Sequence, residues 1–494
     1  MLSSAQAGGG FSTLYLYKGE RSTTFSDVIS SGDTLVAYGI SYTGDSSSYT
    51  GVVLALFDTL GNSIGEYTQL PPQNELMLQW YDNDLIKLNN GYACTGILYG
   101  TRRAFLSIFD KNGNLTFSNG YGINGILSIF SQRLIEMDDH GFLLGGFAQK
   151  LDYSSDNFIK RISSTGNLIW SKAYGEAGKD DLMQSLIKID NNNFVIGGNR
   201  HAPQGTPLLS FWSNNWIFAI DSMGLLKWEW FGPTNKEIAV VGLQQTTNRD
   251  WIYASYTYKV VSPGEWESQC KVVRRDSNFN LIWERILSPI GSYANRLGDF
   301  APTPDGNWIA SGTWAYKTGP SQDDIAFYNC LYKLNDQGDT LWGVQLKAPP
   351  GYDGVSSPGG FTVLPSGSVV WALRYDRYEP QPALSFGWLI KVDNDGCVDT
   401  LCQTSWLMPE PPVPKEMRLR VYPNPASTEV TFEIPQLSGP ALLKVFDLSG
   451  KLVWSGESRS SVIWQTKGYP VGLYYYSLSC EGKESWSGKV SIIR

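Results

Sequence analysis

Histidine and paired acidic residues are the side chains of this sequence whose chemistry could support catalysis or metal binding. The sequence has two histidines, His140 and His201, and two cannot supply a three-histidine metal site. Adjacent carboxylates, such as those of Asp180 and Asp181, could bind Ca²⁺ or act as a general acid and base. Most aspartates, however, fall in recurring turn signals, where the side chain accepts hydrogen bonds from its own backbone. We therefore assign no catalytic residue, no metal site and no cofactor.

Tryptophan is the next residue type of interest, because its ring can stack on a sugar. Many of the 18 tryptophans repeat in register with the turn signals, and such repetition indicates packing between structural units. Tryptophans outside that register fall in or beside segments between predicted strands, where binding surfaces are commonly found. We interpret these as candidate ligand-binding residues: Trp80, Trp212, Trp266 and Trp314.

Charge and hydropathy exclude two classes of partner. A formal charge of −8 leaves no broad basic surface to replace counterions on phosphates, so no nucleic-acid partner is expected. No run of about eighteen apolar residues is present, so no transmembrane segment is expected. The six cysteines are too few to make the fold depend on disulfides, although Cys397 and Cys402 are close enough in sequence to join through one.

A turn signal of the type Asp-x-x-Gly-Asn recurs through most of the chain at intervals of 52 to 59 residues. Each copy lies between two β-rich runs, and a second turn precedes it, so each unit is predicted to contain two hairpins and four strands. Seven such units over residues 8–407 predict an all-β fold with a seven-bladed β-propeller. A solenoid of stacked hairpins is the alternative. The copies are Asp58–Asn62, Asp110–Asn114, Ser163–Asn167, Asp221–Gly224, Asp276–Asn280, Asn335–Asp339 and Asp393–Gly396.

The phase of the repeat predicts how the ring closes. The run from Thr13 to Gly19 matches the strand that follows each turn signal, whereas the last unit nearly ends after its own turn at Gly396. The N-terminal strand is therefore expected to complete the last blade. Residues 1–7 contain an Ala-Gln-Ala sequence that fits the cleavage site of a signal peptide, and we interpret them as a signal-peptide remnant.

The remaining segments are a spacer and a small domain. Residues 408–417 are rich in proline and predict an extended linker. Alternating apolar runs over residues 418–494 predict about seven strands and a small Ig-like β-sandwich.

Short motifs in this last segment carry a family resemblance. In order along the chain they are Tyr422, Pro423, Asn424, Pro425, Asp447, Gly450, Gly472, Tyr474 and Lys489. The series resembles the type A C-terminal sorting domain of the type IX secretion system of Bacteroidota. The resemblance implies passage through the periplasm, interaction with the secretion machinery, and cleavage of the domain during release or attachment to the cell surface. The repeats likewise resemble propeller-like repeats of Bacteroidota surface proteins. An ordinary Ig-like adhesion module is the alternative for the last segment.

The sequence thus predicts an exported, monomeric protein whose propeller binds glycans or other surface proteins. A secreted carbohydrate-active hydrolase or lyase that uses propeller-loop carboxylates is the alternative function. A structural component of a surface layer is a third interpretation.

Overall fold

Antiparallel strands build the described structure, which divides into two units, Met1–Met408 and Pro409–Arg494. No helix occurs in the residues that the structure, a computed structural model, describes. These are residues 2–5, 10–18, 22–43, 48–69, 77–78, 85–98, 100–203, 214–233, 237, 239–262, 265–287, 296–317, 325–349, 355–377, 384–398, 419–433, 441–448, 450–480 and 485–493. The predicted linker, residues 408–417, lies outside them.

Strands that are consecutive in the chain form the sheets of the first unit. After β1 (Leu2–Ala5) and β2 (Phe11–Tyr15), the first sheet contains β3 (Thr23–Ser31), β4 (Thr34–Thr43), β5 (Ser48–Asp58) and β6 (Ser63–Gln69). The second sheet contains β7 (Met77–Leu78), β8 (Leu85–Leu88), β9 (Gly91–Leu98), β10 (Arg103–Asp110) and β11 (Leu115–Tyr121). Next come β12 (Ile126–Glu136), β13 (Phe142–Lys150), β14 (Ser155–Ile162) and β15 (Leu168–Tyr174). They are followed by β16 (Lys179–Asp190), β17 (Asn193–Pro203), β18 (Asn214–Ile220) and β19 (Leu226–Phe231).

Three further sheets complete this unit. One contains β20 (Val241–Gln245), β21 (Trp251–Ser262), β22 (Glu265–Arg275) and β23 (Leu281–Ile286). Another contains β24 (Arg296–Pro302), β25 (Trp308–Lys317), β26 (Ile325–Leu334) and β27 (Thr340–Leu346). The last contains β28 (Val355–Val363), β29 (Val369–Arg377) and β30 (Leu384–Val392), with β2 and β1 added at its edge. A single parallel pairing, Ser155 with Asp180, joins the β12–β15 and β16–β19 sheets into one eight-stranded sheet.

The recurring Asp-x-x-Gly-Asn sequence forms the hairpin turn that the sequence predicts. In the first copy the backbone N–H of Gly61 donates to the carbonyl of Asp58 at 3.0 Å. The Asp58 carboxylate accepts from the backbone N–H groups of Leu60 at 2.9 Å and Asn62 at 2.8 Å. Gly61 has φ +83°, a left-handed conformation that glycine adopts without steric cost. The turn therefore satisfies its own polar groups.

Aromatic residues that repeat in register pack on the glycine of the next turn. A Cβ on Gly338 would come within 2.8 Å of the Trp283 ring, which belongs to the outer strand of the preceding sheet. Equivalent contacts join outer strands to turns elsewhere in this unit. They pair Phe11 with Gly61, Tyr67 with Gly113, Phe117 with Gly166, Trp170 with Gly224 and Trp342 with Gly396. The contacts of Trp170, Trp283 and Trp342 agree with the prediction that tryptophans four residues after the turn glycine or its equivalent pack between units.

The N-terminal strand closes the first unit, as predicted. β2 pairs antiparallel with β30, with Phe11 opposite Lys391, although the strand begins two residues before the predicted Thr13. Phe11 and Leu389 share an apolar cluster with Val53 of the first sheet. The last sheet thus packs on the first, so the sheets form the closed ring of a β-propeller and not an open solenoid. β1, within the predicted signal-peptide remnant, pairs with the free edge of β2.

Connections alternate between the two faces of this ring, because successive strands run in opposite directions. Within each set of four consecutive strands, the short turns after the first and third strands, such as 32–33 and 59–62, lie on one face. The connections after the second and fourth strands, such as 151–154 and 175–178, lie on the other. We call the second face the loop face. Its connections differ most in length and sequence, so it is the face on which a specific site can be built.

The second unit is a sandwich of two antiparallel sheets. One sheet has the order β31 (Arg420–Tyr422), β32 (Glu429–Glu433) and β35 (Ser461–Gln465). The other has the order β34 (Leu452–Ser458), β33 (Ala441–Phe446), β36 (Gly472–Cys480) and β37 (Ser485–Ile492). Phe432 and Trp464 of the first sheet share one buried cluster with Leu443 and Leu478 of the second.

Candidate functional site

A cavity of about 490 Å³ lies beside the β20–β23 sheet. We call it the Glu237 cavity, after the buried carboxylate in the connection between β19 and β20. Its walls combine four charged residues with polar and apolar ones. They are Pro233, Glu237, Thr257, Gln269, Lys271, Arg275, Leu281, Glu284 and Ile286. The volume lies within the range of about 300–1,000 Å³ that is usual for sites binding small molecules.

Glu237 is the centre of a buried hydrogen-bond network. Its carboxylate accepts from the amide of Asn215 and from the hydroxyl of Tyr253, both at 2.7 Å. The guanidinium group of Arg275 donates to the other carboxylate oxygen. Because Asn215 belongs to the preceding sheet, the network joins two neighbouring sheets. A buried carboxylate with this many donors is fixed in position.

Arg275 is held as firmly as Glu237. Its Nε donates to the Tyr253 hydroxyl at 2.9 Å and its Nη1 to the carbonyl of Phe279 at 3.1 Å. The guanidinium carbon lies 5.0 Å from the centre of the Trp230 ring, which adds a cation–π contact. Burial raises the pKa of Tyr253 well above its usual value, and the charge of Glu237 raises it further. Tyr253 therefore stays a neutral phenol that donates to Glu237.

Lys271 is the cavity's second buried cation, and its partners differ from those of Arg275. Its ammonium nitrogen lies 2.8 Å from a carboxylate oxygen of Glu284 and 4.0 Å from one of Glu237. The side chain of Lys271 is 7 % exposed, whereas that of Glu284 is 44 % exposed. The main partner of a buried cation is thus a carboxylate at the surface.

A second cavity of about 430 Å³ lies on the loop face beside the β12–β15 sheet, where the connections before β12 and after β13 line it. Ile123, Ile126 and Ala148 contribute apolar wall, and Lys150 pairs with Asp156 at its polar end. This ion pair, 2.7 Å long, leaves the other Asp156 oxygen buried without a hydrogen-bond partner. The cavity has one polar end and a mainly apolar lining.

Near this second cavity lies Lys160 of β14, whose residue surface is fully buried. Its ammonium group donates to the carbonyl of Gly122 at 2.9 Å and to the hydroxyl of Ser171 at 3.0 Å. Burial lowers the pKa of Lys160 to about 8. Both of these acceptors are uncharged, so they compensate the lost hydration of the cation only in part.

The four predicted ligand-binding tryptophans have different outcomes. Trp80 and Trp212 lie outside the described residues, and Trp266 belongs to β22, with its side chain outside the description. Trp314 on β25 is fully buried, and its indole N–H donates to the Tyr332 hydroxyl at 2.7 Å. A ring in this position packs within the apolar core and cannot stack on an external ligand, so we no longer treat Trp314 as a candidate.

The histidine, the paired aspartates and the cysteine named in the sequence analysis have the following positions in the structure. His140 occupies a turn with φ +62°, where its backbone N–H donates to the carbonyl of Met137 at 2.9 Å. Burial raises the pKa of Asp180, which neighbours Asp181 at the start of β16. Across the described residues, no group of three or more His, Cys, Asp or Glu side chains is arranged to hold a metal ion. Cys397 is disulfide-bonded, and its predicted partner Cys402 lies outside the description.

Most residues of the predicted sorting motif have a visible role in the second unit. The Asn424 amide group donates to the carbonyl of Lys489 at 3.0 Å and accepts from the N–H of Ser491 at 2.9 Å, so it binds the edge of β37. Gly450, with φ +82°, completes a turn in which its N–H donates to the carbonyl of Asp447 at 3.0 Å.

Other motif residues divide between the core and the surface. The hydroxyl of Tyr474 donates to the carbonyl of Pro470 at 2.8 Å, and its ring is buried beside Trp464. Tyr422 and Pro423 are exposed, as is Lys489, whose ammonium group lies 5.6 Å from the centre of the Tyr475 ring.

Residues 420–493 match the family model described as the secretion system C-terminal sorting domain. The chain carries a secretion sorting domain. It is therefore exported through the type IX secretion system, to the cell surface or the surrounding medium. In the described part of the chain, no helix is long and apolar enough to cross a membrane. No curated protein matches the chain.

Solved structures similar to this chain include enzymes and a protease domain. An ulvan lyase is 10 % identical with TM-score 0.48, over 78 % of this chain and 97 % of its own. An α-L-arabinanase from Penicillium chrysogenum is 12 % identical with TM-score 0.40. The match covers 66 % of this chain and 96 % of the arabinanase chain. The β-propeller domain of the trilobed protease from Pyrococcus furiosus is 10 % identical with TM-score 0.37. The match covers 74 % of this chain and 97 % of that domain's chain.

The Glu237 cavity was not predicted, although the sequence holds a signal for it. Lys271 falls five residues before the turn residue Asp276, a position that is apolar in every other repeat. Arg275 falls one residue before Asp276, where the other repeats are also apolar. Two cations in positions reserved for core residues break the local pattern, and such breaks are expected at functional sites.

Proposed function

We propose that this protein is an exported binding module, a seven-bladed β-propeller with a ligand site beside its β20–β23 sheet. The Glu237 cavity is the observation that carries the proposal. It combines a fixed polar floor with an exposed apolar rim formed by Leu281 and Ile286. Such a combination suits a glycan, whose hydroxyl groups and apolar ring faces need both kinds of contact. A protein of the cell surface is the other class of partner, and the protein acts as a monomer.

Packing between sheets supports seven blades. Buried clusters link each four-stranded set to the next along the chain, and one more links the last set to the first. The eight-stranded sheet counts as two blades, because only the Ser155–Asp180 pairing joins its halves.

For the tail we propose a type A sorting domain of a Bacteroidota protein with an Ig-like topology. Its strand order supports this relationship with one difference. In an Ig constant-type sandwich the fourth strand joins the sheet of the first, second and fifth strands. Here the fourth strand, β34, pairs with the third, β33. After export the domain is cleaved from the propeller.

A carbohydrate-active hydrolase or lyase is the second candidate, because two carboxylates, Glu237 and Glu284, line one cavity. Glycoside hydrolysis needs one protonated carboxyl group and one carboxylate. Both of these side chains are instead held in ion pairs, with Arg275 and Lys271. This arrangement favours binding over acid catalysis.

A glycan array probed with the secreted protein tests the proposal, together with a variant that fills the cavity, Thr257→Trp. We expect glycan binding that Thr257→Trp abolishes, while Ala173→Trp, which fills the second cavity, serves as the matched control. Release of shortened sugars from a bound glycan would favour the enzyme. Absence of binding to any glycan would overturn the glycan proposal.

Export has its own test in the native host. Deletion of residues 418–494 is expected to leave the propeller in the periplasm, whereas the intact chain reaches the surface or the medium. Cell fractionation with an antibody against the propeller measures the difference. Equal export of both forms would contradict the role of the tail.

A further inference from the structure

Among the residues that the structure describes, the buried charges of the Glu237 cavity do not balance. Lys271 and Arg275 are 7 % and 8 % exposed, and Glu237, at 1 %, is the carboxylate buried with them in the described part of the cavity wall. Within that part, two cations face one buried anion. The remaining charge is compensated by Glu284, which lies at the surface on the outer strand β23. Burying a cation is costly unless an anion accompanies it, so Lys271 needs a negative partner, and Glu284 supplies it from the surface.

The two cations differ in how much bonding capacity they have left. Arg275 uses Nε, Nη1 and Nη2 on Tyr253, Phe279 and Glu237. Lys271 has three donors, and Glu284 at 2.8 Å is its one close partner among the described hydrogen bonds. Glu237, at 4.0 Å from Lys271, is beyond hydrogen-bond distance. Lys271 is therefore the group that can receive a new acceptor.

Glu284 is a replaceable partner. Its side chain is 44 % exposed, so water competes with Lys271 for the carboxylate and weakens the pair. Release of Glu284 to solvent costs little, provided that another anion takes its place on Lys271.

The repeats supply an internal comparison for these positions. The residues equivalent to Lys271 in the other units are buried and apolar: Val53, Phe105, Phe158, Trp216, Cys330 and Trp388. The residues equivalent to Arg275 are also buried and apolar: Phe57, Phe109, Ile162, Ile220, Leu334 and Val392. The fold therefore does not require a cation at either position, and the pair is specific to this cavity.

We propose that the Glu237 cavity binds a ligand with one anionic group, a carboxylate or a sulfate, on a hydroxyl-bearing body such as an acidic sugar. The anionic group takes the place of Glu284 on Lys271. Thr257 and Gln269 line the wall that faces the hydroxyl groups, and Leu281 and Ile286 form the apolar rim. This inference rests on the proposed glycan-binding function and names its ligand class.

Isothermal titration calorimetry on the full chain tests the inference with five probes: glucuronic acid, glucose 6-sulfate, glucose, acetate and inorganic sulfate. We expect binding of an anionic sugar, with the two acidic probes distinguishing carboxylate from sulfate, and much weaker binding of glucose. Lys271→Met should lower affinity for the anionic probe at least about tenfold, because it removes a charge-assisted hydrogen bond. Lys271→Arg, which keeps the charge, should retain part of the affinity.

Glu284→Gln should raise affinity for the anionic probe about two- to fivefold, because it removes the competing carboxylate. The matched control is Glu229→Gln on the outer strand of the preceding sheet, where Glu229 accepts from Arg200 at 2.9 Å. This control should leave affinity unchanged. Melting temperatures of all variants, measured alongside, identify any loss that comes from unfolding.

The outcomes separate this inference from the function on which it rests. Sugar binding that is indifferent to both Lys271→Met and Glu284→Gln would overturn the inference and leave the binding function intact. Acetate or sulfate binding that depends on Lys271, without binding of any sugar, would uphold the anion site and overturn the glycan proposal. Affinity that falls in Glu284→Gln would also overturn the inference, because Glu284 would then be a ligand contact and not a competitor.

Discussion

Lys160 gives a prediction whose size follows from its surroundings. Burial lowers its pKa from 10.5 to about 8 in the folded protein, whereas the unfolded chain keeps the ordinary value. Between these two pKa values the unfolded chain holds a proton that the folded protein has released. The free energy of unfolding therefore rises with pH in this interval, by about 1.4 kcal/mol per pH unit at most.

From pH 7 to pH 9.5 the contribution of Lys160 amounts to about 2 kcal/mol of added stability. Lys160→Met removes the titrating group, so the stability of the variant relative to the native protein should fall by that amount over the same interval. Measurements stop at pH 9.5 because, above pH 10, buried tyrosines lower the free energy of unfolding as the pH rises. Burial raises the pKa of Tyr316, for example, to about 12, so its contribution is lost as the unfolded chain ionises.

Urea unfolding at pH 7, 8, 9 and 9.5, followed by tryptophan fluorescence, measures this difference. Lys172→Met on the neighbouring strand β15 controls for loss of a lysine without loss of a buried ammonium group. Native and Lys160→Met proteins whose stabilities change in parallel from pH 7 to 9.5 would refute the reasoning. Such a result would mean that Lys160 is hydrated or paired with an anion in the folded protein.

Three further substitutions test other parts of the structure by their melting temperatures. Glu237→Gln should destabilise the propeller by about 3–5 kcal/mol, because it leaves Arg275 buried without a countercharge; a loss below about 1 kcal/mol would show that the network is not buried. Gly338→Ala should destabilise the propeller by about 1–3 kcal/mol, because Gly338 has φ +83° and a methyl group there would meet Trp283. Gly306→Ala is the control for the cost of a positive φ alone, because Gly306 has φ +80° and a methyl group there meets no neighbouring atom of the described residues. Asn424→Ala should destabilise the isolated second unit by about 1–3 kcal/mol, and an unchanged transition would contradict its role on β37.

The sequence was sufficient to predict the framework of the propeller. Asp58 and Gly61 show why, since their turn is encoded within five consecutive residues and needs no distant partner. The pairing of β2 with β30 was also predictable from the phase of the repeat. The last repeat lacked its fourth strand, and the N-terminus held one strand that belonged to no other repeat.

The candidate site was less predictable because its residues come together only in three dimensions. Glu237 lies in an irregular connection, and its partners Asn215, Tyr253 and Arg275 come from three different strands. For Trp314 the sequence predicted a ligand contact that the structure does not support. The prediction rested on the position of Trp314 outside the register of the repeated tryptophans. Its indole instead finds a partner, Tyr332, on the adjacent strand of its own sheet.

The order in which this protein can fold follows from the strand that closes the ring. Ser12 of β2 accepts from the indole N–H of Trp388 across 376 residues of sequence. β2 must therefore wait for almost the last residues of the propeller before it can pair. Until then, the opening sheet and the final sheet each expose an apolar side, and contacts this distant in sequence form slowly. A chain that moves through the periplasm before closure would need protection there, and completion of the propeller after crossing would make its export hard to reverse.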